Sequence, residues 1–342
     1  MNKPHIFELE PSELIEILSH ICDKTYKIKQ ILRWIYLHYT IDMAKMTDLS
    51  VELREKLSSQ FDCSLPEIVN IAESSDKSIK FLLKLRDSSL IEMVVIPTEK
   101  KNTICISTQV GCARNCSFCA TAKLRFKRNL SIDELFAQIF LGVNHLKNEK
   151  ISNIVLMGMG EPLDNYDTVV KFIKIITSND AFDFSARKIT ISTCGITPKI
   201  LSLAELNTKF KLAISLNSAI NKKRTQLMPI NEIYNLSELK KAVMYFRRNS
   251  SFRVTFEYIM IKDFNMAKED IIALKKFCSD ISCKINLIKW NYVPGIAWKS
   301  PSEEEINIFV EDLKSLPVAI TYRRSRGEDI GGACGQLSGQ FI

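Results

Sequence analysis

From about residue 103 the chain alternates between strand-like and helical segments, and this alternation limits the possible folds more than any other feature. The strand-like runs are TICIS (103–107), NIVLMG (153–158), KITIST (188–193), FKLAISL (210–216), RVTFEYIMI (253–261) and KINLIK (284–289). Alternation of this kind is typical of βαβ units whose strands form a parallel sheet. Because six units are too few for an eight-stranded barrel, the sequence predicts an α/β fold with an open, partial (β/α)6 barrel.

The 342 residues fit about two domains, or one large barrel with an extension. Residues 1–62 carry helical apolar periodicity, which predicts a small N-terminal helical accessory domain and a candidate for RNA binding. Residues 63–102 contain two strand-like runs around the turn RDSS, which predicts a short β-hairpin extension. Residues 103–342 are assigned to the barrel and a C-terminal cysteine loop.

Composition and charge argue against a membrane protein, a secreted protein and a small disulfide-rich protein. Lysine and arginine number 47 against 39 acidic residues, and a net charge of +8 indicates a polyanionic partner. The longest apolar runs are far shorter than the ~18 residues of a membrane span. The first residues contain no apolar signal region, and the ten cysteines are not spaced as in a small disulfide scaffold. We therefore expect no membrane association and a reducing, cytoplasmic location.

Three cysteines in the string GCARNCSFC, called here the cysteine triplet, are spaced for a metal centre: Cys112, Cys116 and Cys119. A cysteine-ligated iron–sulfur cluster or a structural zinc ion normally takes four ligands. A cube held by three thiolates leaves one iron open to a small molecule. The spacing, with Phe118 before the last cysteine, resembles the signature of radical S-adenosylmethionine (SAM) enzymes. The alternative is a zinc knuckle with a distant fourth ligand.

Polar and glycine-rich residues follow the ends of the predicted strands, where βα barrels carry their chemistry. The triplet follows the first strand, and GMGEP (158–162) follows the second. Glycine lets a backbone approach a ligand, and Glu161 offers a carboxylate to an ammonium group. Further candidates to bind a carboxylate or ribose hydroxyls end the third, fourth and sixth strands: Ser192, Ser215 and Asn291.

Two more cysteines are candidates for chemistry. Cys334 lies between glycines in IGGACGQL, which favours an exposed, mobile loop. Cys105 lies on the first strand, seven residues before the triplet, and a core position is the alternative for it. Basic clusters, each also compatible with a solvated face, occur at 123–128, 222–224, 247–248 and 323–326. The first and last flank the proposed chemistry, which suits phosphate contacts.

At this point a resemblance to a known family becomes specific. The segments that carry it are QVGCARNCSFCATAKLRFKRNLS, LMGMGEPLDN, KITIST, LAISLNSA, LMPIN, CKINLIKWN and RSRGEDIGGACGQLSG. They occur in order over residues 25–340 and resemble the dual-specificity RNA adenine carbon-2 methyltransferases of the RlmN type. YKIKQILRWIY resembles the small helical domain of the same family.

The resemblance implies a 4Fe–4S cluster on the cysteine triplet and SAM as the second cofactor. It implies SAM contacts from Gly160, Glu161, Ser192, Ser215, Leu216, Asn217 and Asn291. The implied substrates are 23S rRNA in the peptidyl-transferase region and an adenine of a tRNA anticodon loop. An electron donor such as flavodoxin or ferredoxin is expected, and nothing in the sequence requires more than a monomer.

The resemblance also implies a radical mechanism, because adenine carbon-2 is too electron-poor to attack a sulfonium methyl group. One SAM methylates Cys334, and a second is cleaved to a 5′-deoxyadenosyl radical that takes a hydrogen from this methyl group. The methylene radical adds to adenine, and Cys105 helps to resolve the adduct through proton removal and a disulfide with Cys334. Glu92 matches the proton acceptor of the family, with a solvent-facing strand position as the alternative.

Three positions depart from the family pattern. Asn217 stands where histidine is common and loses titration near neutral pH, Cys194 replaces a usual serine, and Gly332 replaces a usual alanine. An adenine carbon-8 methyltransferase of the related antibiotic-resistance type is the nearest alternative, although QVGC and GEPL favour carbon-2. A zinc-containing RNA-binding protein without catalysis is a more distant alternative.

Overall fold

The computed structural model describes residues 3–147, 149–206, 209–250, 252–316 and 318–339. The helices are α1 (Pro11–Ile21), α2 (Thr25–Tyr36), α3 (Val51–Gln60), α4 (Ile132–His145), α5 (Tyr166–Thr177), α6 (Thr197–Ala204), α7 (Asn221–Leu227), α8 (Ile230–Ile233), α9 (Leu236–Asn249), α10 (Lys268–Cys278) and α11 (Glu303–Leu313). The strands are β1 (Glu67–Glu73), β2 (Ile79–Lys84), β3 (Leu90–Thr98), β4 (Lys101–Cys105), β5 (Gln109–Val110), β6 (Arg128–Asn129), β7 (Asn153–Leu156), β8 (Ile189–Thr193), β9 (Lys211–Ser215), β10 (Val254–Met260), β11 (Cys283–Lys289) and β12 (Ala319–Arg323).

In the described residues, ten strands form one sheet in the order β1-β2-β3-β4-β7-β8-β9-β10-β11-β12. Pairing is antiparallel from β1 to β4 and parallel from β4 to β12. The predicted α/β fold is confirmed, and β12 adds one more parallel strand to the six predicted barrel strands. Helices between successive strands cover the sheet, as parallel pairing requires.

The hairpin of β2 and β3 continues the barrel sheet. β3 pairs with β4, and Val94 lies opposite Cys105. The edge strand β1 was not predicted, because its residues are mostly exposed or half-buried and therefore lack a clear hydrophobic alternation. The extension thus lies directly beside the first barrel strand.

The N-terminal helices pack on α4 through a cluster of aromatic rings. Phe7 lies 4.9 Å from Phe136 and 4.7 Å from Phe140 between ring centroids. Tyr39 contacts Phe140 and Phe182 at 5.6 Å. Edge-to-face and tilted rings at these separations stabilise a core beyond the area that they bury. In the part of the chain that the structure describes, no helix is both long and apolar enough to cross a membrane.

We expect Phe7→Ala to lower the free energy of unfolding by about 3–5 kcal/mol, since the substitution leaves a cavity against α4. The matched control is Tyr26→Ala, because the Tyr26 side chain is 54% exposed. Its effect should stay within about 0.5 kcal/mol. Urea unfolding of both variants measures the difference. Equal midpoints would contradict a stabilising role for the aromatic cluster.

Candidate active site

The carboxyl ends of the parallel strands surround one cavity of about 970 Å³, its open mouth included. All three residues of the cysteine triplet line this cavity, on the loop that follows β4 and β5. None of the three forms a disulfide with a described residue. Burial raises the pKa of all three thiols, that of Cys112 to about 12. Without a bound cation, the triplet therefore carries protonated thiols at neutral pH.

The triplet directs three thiols to one cavity. Within the residues described, no three His, Cys, Asp or Glu side chains are grouped to hold a single metal ion. Cysteine thiolates are the ligands that hold iron–sulfur clusters, and three of them come from this loop. Nearby, Arg114 binds both carboxylate oxygens of Asp164 at 2.6 Å and closes one side of the cavity.

Gly160 and Glu161 line the cavity after β7. Gly160 has φ +96°, and a Cβ there would lie 2.5 Å from Cβ of Gln109, so only glycine fits. Gln109 in turn accepts the backbone N–H of Glu161 at 2.9 Å. The Glu161 carboxylate accepts N–H groups from Leu163 and Cys194 at 3.0 and 2.8 Å. Because a carboxylate offers about four acceptor positions, Glu161 can also accept a donor from the cavity.

Ser192 and Ser215 line the cavity at the ends of β8 and β9, and Asn217 lines it just beyond β9. Asn217 has φ +55°, a left-handed backbone that asparagine tolerates. Its side chain is engaged within the protein, because Nδ2 lies 3.2 Å from Sδ of Met228 and Oδ1 accepts the N–H of Ile259 at 3.0 Å.

Leu216 is fully buried just beyond β9 and is not among the described residues that line the cavity. Its N–H donates to the carbonyl of Glu257 at 3.0 Å, and its carbonyl accepts from the Arg224 guanidinium at 3.2 Å. Arg224 also donates to the carbonyl of Cys194 at 2.7 Å and to Oδ1 of Asn231 at 2.9 Å. Arg224 therefore ties the ends of β8 and β9 together.

The segment that carries Cys334 is tied to the triplet loop. The N–H of Ala120 donates to the carbonyl of Gly335 at 2.7 Å, and the Thr121 hydroxyl donates to the carbonyl of Leu337 at 2.7 Å. Asn291 donates from Nδ2 to the carbonyl of Cys334 at 3.0 Å. Cys334 is half-buried and lines the cavity, whereas the sequence predicted an exposed, mobile loop.

Cys105 lies close to Cys334, and both line a smaller adjoining cavity together with Arg323. Burial raises the pKa of the Cys105 thiol to about 12. Burial also raises the pKa of Cys334, and the Arg323 charge opposes this shift. Arg323 thus favours the thiolate, which is the nucleophilic form of cysteine.

Glu92 is fully buried, so a solvent-facing position is wrong for this residue. One carboxylate oxygen accepts the N–H groups of Ser338 and Gly339 at 2.7 and 3.0 Å. The other lies 3.0 Å from Nζ of Lys80, an ion pair that is not aligned as a hydrogen bond. Glu92 therefore anchors the segment that follows Cys334.

Comparison with known proteins identifies the family. Residues 106–275 match the model of the radical SAM superfamily, and residues 5–62 match the N-terminal domain of the ribosomal RNA large subunit methyltransferases. The chain is 42% identical over 336 residues to a dual-specificity RNA methyltransferase RlmN of Carboxydothermus hydrogenoformans, covering 98% of each chain. It is 40% identical to an RlmN of Dictyoglomus turgidum, covering 99% of this chain and 97% of the relative.

The chain belongs to the RlmN family of dual-specificity RNA methyltransferases. A radical SAM methyltransferase from Sphaerobacter thermophilus matches with a TM-score of 0.94 and 34% identity, over 98% of this chain and all of that one. The predicted family and enzyme class are confirmed, and a zinc-containing RNA-binding protein without catalysis is contradicted. Membership of the radical SAM class implies a 4Fe–4S cluster and SAM.

Arg224 and Glu257 are among the residues near the site of this RlmN family member that were not recognised from its sequence. Arg224 ends a run of three cations that suggested a solvated face, yet its guanidinium is fully buried and burial lowers its pKa to about 10. Glu257 lines the cavity from β10 and is 7% exposed. The signal for Glu257 was present in RVTFEYIMI, as the one acidic residue in a mostly apolar strand.

Gly160→Ala tests whether the close packing of Gly160 on Gln109 is needed for SAM binding by this RlmN family member. We expect SAM binding to weaken by at least tenfold, about 1.4 kcal/mol, because the new Cβ displaces Gln109 and with it Glu161. Gly295→Ala is the matched control, since Gly295 also has a positive φ but a Cβ there meets only Nζ of Lys123 at 3.1 Å. Equilibrium dialysis measures both variants. Equal weakening would assign the effect to backbone strain instead.

Proposed function

We propose that this protein methylates carbon-2 of a specific adenine in 23S rRNA and in tRNA by a radical mechanism that uses two SAM molecules. One observation carries the proposal: Cys334 lines the same cavity as the cysteine triplet and the adjoining cavity with Cys105. A methyl carrier must reach both a cofactor and a second thiol, and these neighbours supply that arrangement.

In this proposal the cysteine triplet would hold a 4Fe–4S cluster, and the amino-acid end of SAM would bind beside it. When bound, the cluster supplies the electron that cleaves SAM. Gly160 and Glu161 bind the ammonium group, and Ser192 and Ser215 bind polar groups of the cofactor from the strand ends. Leu216, Asn217 and Asn291 complete the proposed set of SAM contacts. Their hydrogen bonds within the protein support a role in shaping the wall of the cavity.

The Cys334 thiol first loses its proton to solvent or to a neighbouring base. The thiolate then takes the methyl group from SAM, and S-adenosylhomocysteine leaves. The Arg323 charge supports this step by favouring the thiolate.

Cys105 is the second thiol, proposed to help remove the carbon-2 proton of the RNA adduct, while the unpaired electron of the adduct would return to the cluster that was oxidised when SAM was cleaved. The Cys105 thiolate then attacks the sulfur of Cys334. The bond from that sulfur to the methylene carbon breaks, a disulfide forms, and the carbon takes a proton to become the methyl group of the product. Glu92 is proposed as a proton acceptor, although its contacts with 338–339 support an anchoring role more directly.

The RNA is proposed to approach over the exposed basic segment beside the cavity. Lys123, Arg125 and Lys127 are exposed there, next to the exposed ring of Phe126. Cations of this kind neutralise phosphates, and an aromatic ring can stack on a base. We do not assign Arg128 to this surface, because its guanidinium already donates hydrogen bonds to the carboxylates of Asp87 and Glu134.

The proposal includes an electron donor such as flavodoxin or ferredoxin, a cytoplasmic location and a monomeric enzyme. A low-potential donor is required because the cluster must be reduced before SAM is cleaved. The adenine carbon-8 reaction is the second candidate, and the motifs QVGC and GEPL favour carbon-2 over it.

Cys334→Ala is expected to abolish RNA methylation while reductive cleavage of SAM persists, because the cluster ligands are intact and the methyl carrier is missing. Mass spectrometry of nucleosides from digested rRNA and tRNA measures 2-methyladenosine, and chromatography measures 5′-deoxyadenosine. Cys22→Ala is the control, since Cys22 lies between α1 and α2 and does not line the cavity.

Normal methylation by the Cys334→Ala variant would overturn the carrier assignment. If the unaltered enzyme yields only 8-methyladenosine, the carbon-8 reaction replaces the carbon-2 reaction. Anaerobic protein that is colourless and contains no iron would remove the basis for either reaction.

Cys105→Ala is expected to trap the protein on RNA, because the adduct forms at Cys334 but lacks the thiol that resolves it. A band that contains both RNA and protein and survives denaturing electrophoresis is the readout, and the double variant with Cys334→Ala should lose this band. Free turnover of the single variant would show that Cys105 is not the resolving thiol.

A further inference from the structure

The carboxylate of Glu257 has one satisfied oxygen and one unsatisfied oxygen. Oε1 accepts Nδ2 of Asn286 on β11 at 3.0 Å, whereas Oε2 is buried and has no hydrogen-bond partner among the described residues. The side chain is 7% exposed and lines the main cavity. A buried carboxylate oxygen without a donor costs more than about 1–3 kcal/mol, so this position is built to receive a donor.

No described side chain near Glu257 takes this role. Arg323 of β12 lines the same cavity, but within the described ranges it forms no ion pair or hydrogen bond with Glu257. Its charge still acts on the carboxylate, because it opposes the rise in the Glu257 pKa that burial causes. The residue that carries the free oxygen lines the cavity, and the nearest described cation leaves that oxygen without a hydrogen bond.

The sheet order indicates which part of a cofactor lies beside Glu257. The triplet follows β4 and β5, and Glu161 follows β7, so the amino-acid end belongs to that side of the cavity. Glu257 lies on β10, three strands from β7, which is about 14 Å along the sheet at ~4.8 Å per strand. It is in register with Ser215 of β9. The nucleoside end of a molecule held at β7 extends toward this position.

We propose that Glu257 binds the ribose of SAM, with its free carboxylate oxygen accepting a hydrogen bond from a ribose hydroxyl. The inference rests on the proposed function, since it takes SAM as the ligand of the cavity. Carboxylates recognise ribose hydroxyls in dinucleotide-binding folds through the same donor–acceptor chemistry. Asn286 holds the other oxygen and fixes the orientation of the carboxylate.

The test is a binding cycle with anaerobically prepared holoenzyme, SAM, and the 2′-deoxy and 3′-deoxy analogues of SAM. Unaltered enzyme should bind one of the two analogues about tenfold more weakly than SAM, as expected for the loss of a hydrogen bond to a charged group. Glu257→Leu should bind SAM about tenfold more weakly and should no longer distinguish SAM from that analogue. This loss of discrimination is the coupling that a direct contact produces.

Two further variants keep the test decisive. Glu257→Gln preserves the shape of the side chain, so it should fold even where Glu257→Leu does not, and it should lose part of the discrimination. Glu304→Leu is the control, since Glu304 is exposed on α11, and it should match the unaltered enzyme. Iron content and thermal stability show whether each variant has kept its cluster and its fold.

The outcomes separate this inference from the proposed function. If unaltered enzyme binds no SAM, the proposed function fails. If it binds SAM and both analogues equally, or if Glu257→Gln retains full discrimination, the ribose contact is overturned and solvent satisfies the oxygen. If the Glu257 variants bind SAM normally but methylate RNA more slowly, the carboxylate contacts the RNA, and the inference is also overturned.

Discussion

Parallel pairing from β4 to β12 brings the carboxyl ends of seven strands to one edge of the sheet, and the whole site depends on this pairing. Backbone hydrogen bonds set the register, so residues that are far apart in sequence reach the cavity without needing contact with one another. The triplet after β4 and Glu257 on β10 face the same cavity for this reason. A polar side chain at the carboxyl end of any of these strands therefore lies at or near the cavity.

Buried polar groups hold the loops around the cavity in place. Arg224 donates hydrogen bonds to carbonyl groups at the ends of β8 and β9, and Glu92 accepts hydrogen bonds from N–H groups of the segment after Cys334. Removing either side chain would leave buried donors or acceptors unpaired, which costs more than a lost surface contact. The loops of the site are therefore anchored from inside the protein, and the cavity is a preformed feature of the fold.

Local signals explain why much of the architecture could be predicted. Strand and helix periodicity identified the barrel strands, and cysteine spacing predicted a metal centre on the loop that lines the cavity. The same signals failed at β1, whose edge position leaves both faces partly solvated, and at Arg224, where a run of three cations resembles an exposed surface. Helical geometry turns the third cation of that run inward, and composition alone does not reveal this.

The sequence by itself determined the fold class, the triplet, the candidate cofactor residues and the family resemblance, because these depend on spacing along the chain. Only the tertiary structure decided that Cys105 and Cys334 share a cavity, that Glu92 is buried against the final segment, and that Glu257 keeps an oxygen without a donor. The physical reason is that burial and hydrogen-bond satisfaction are set by contacts between distant segments, which no local pattern of residues encodes.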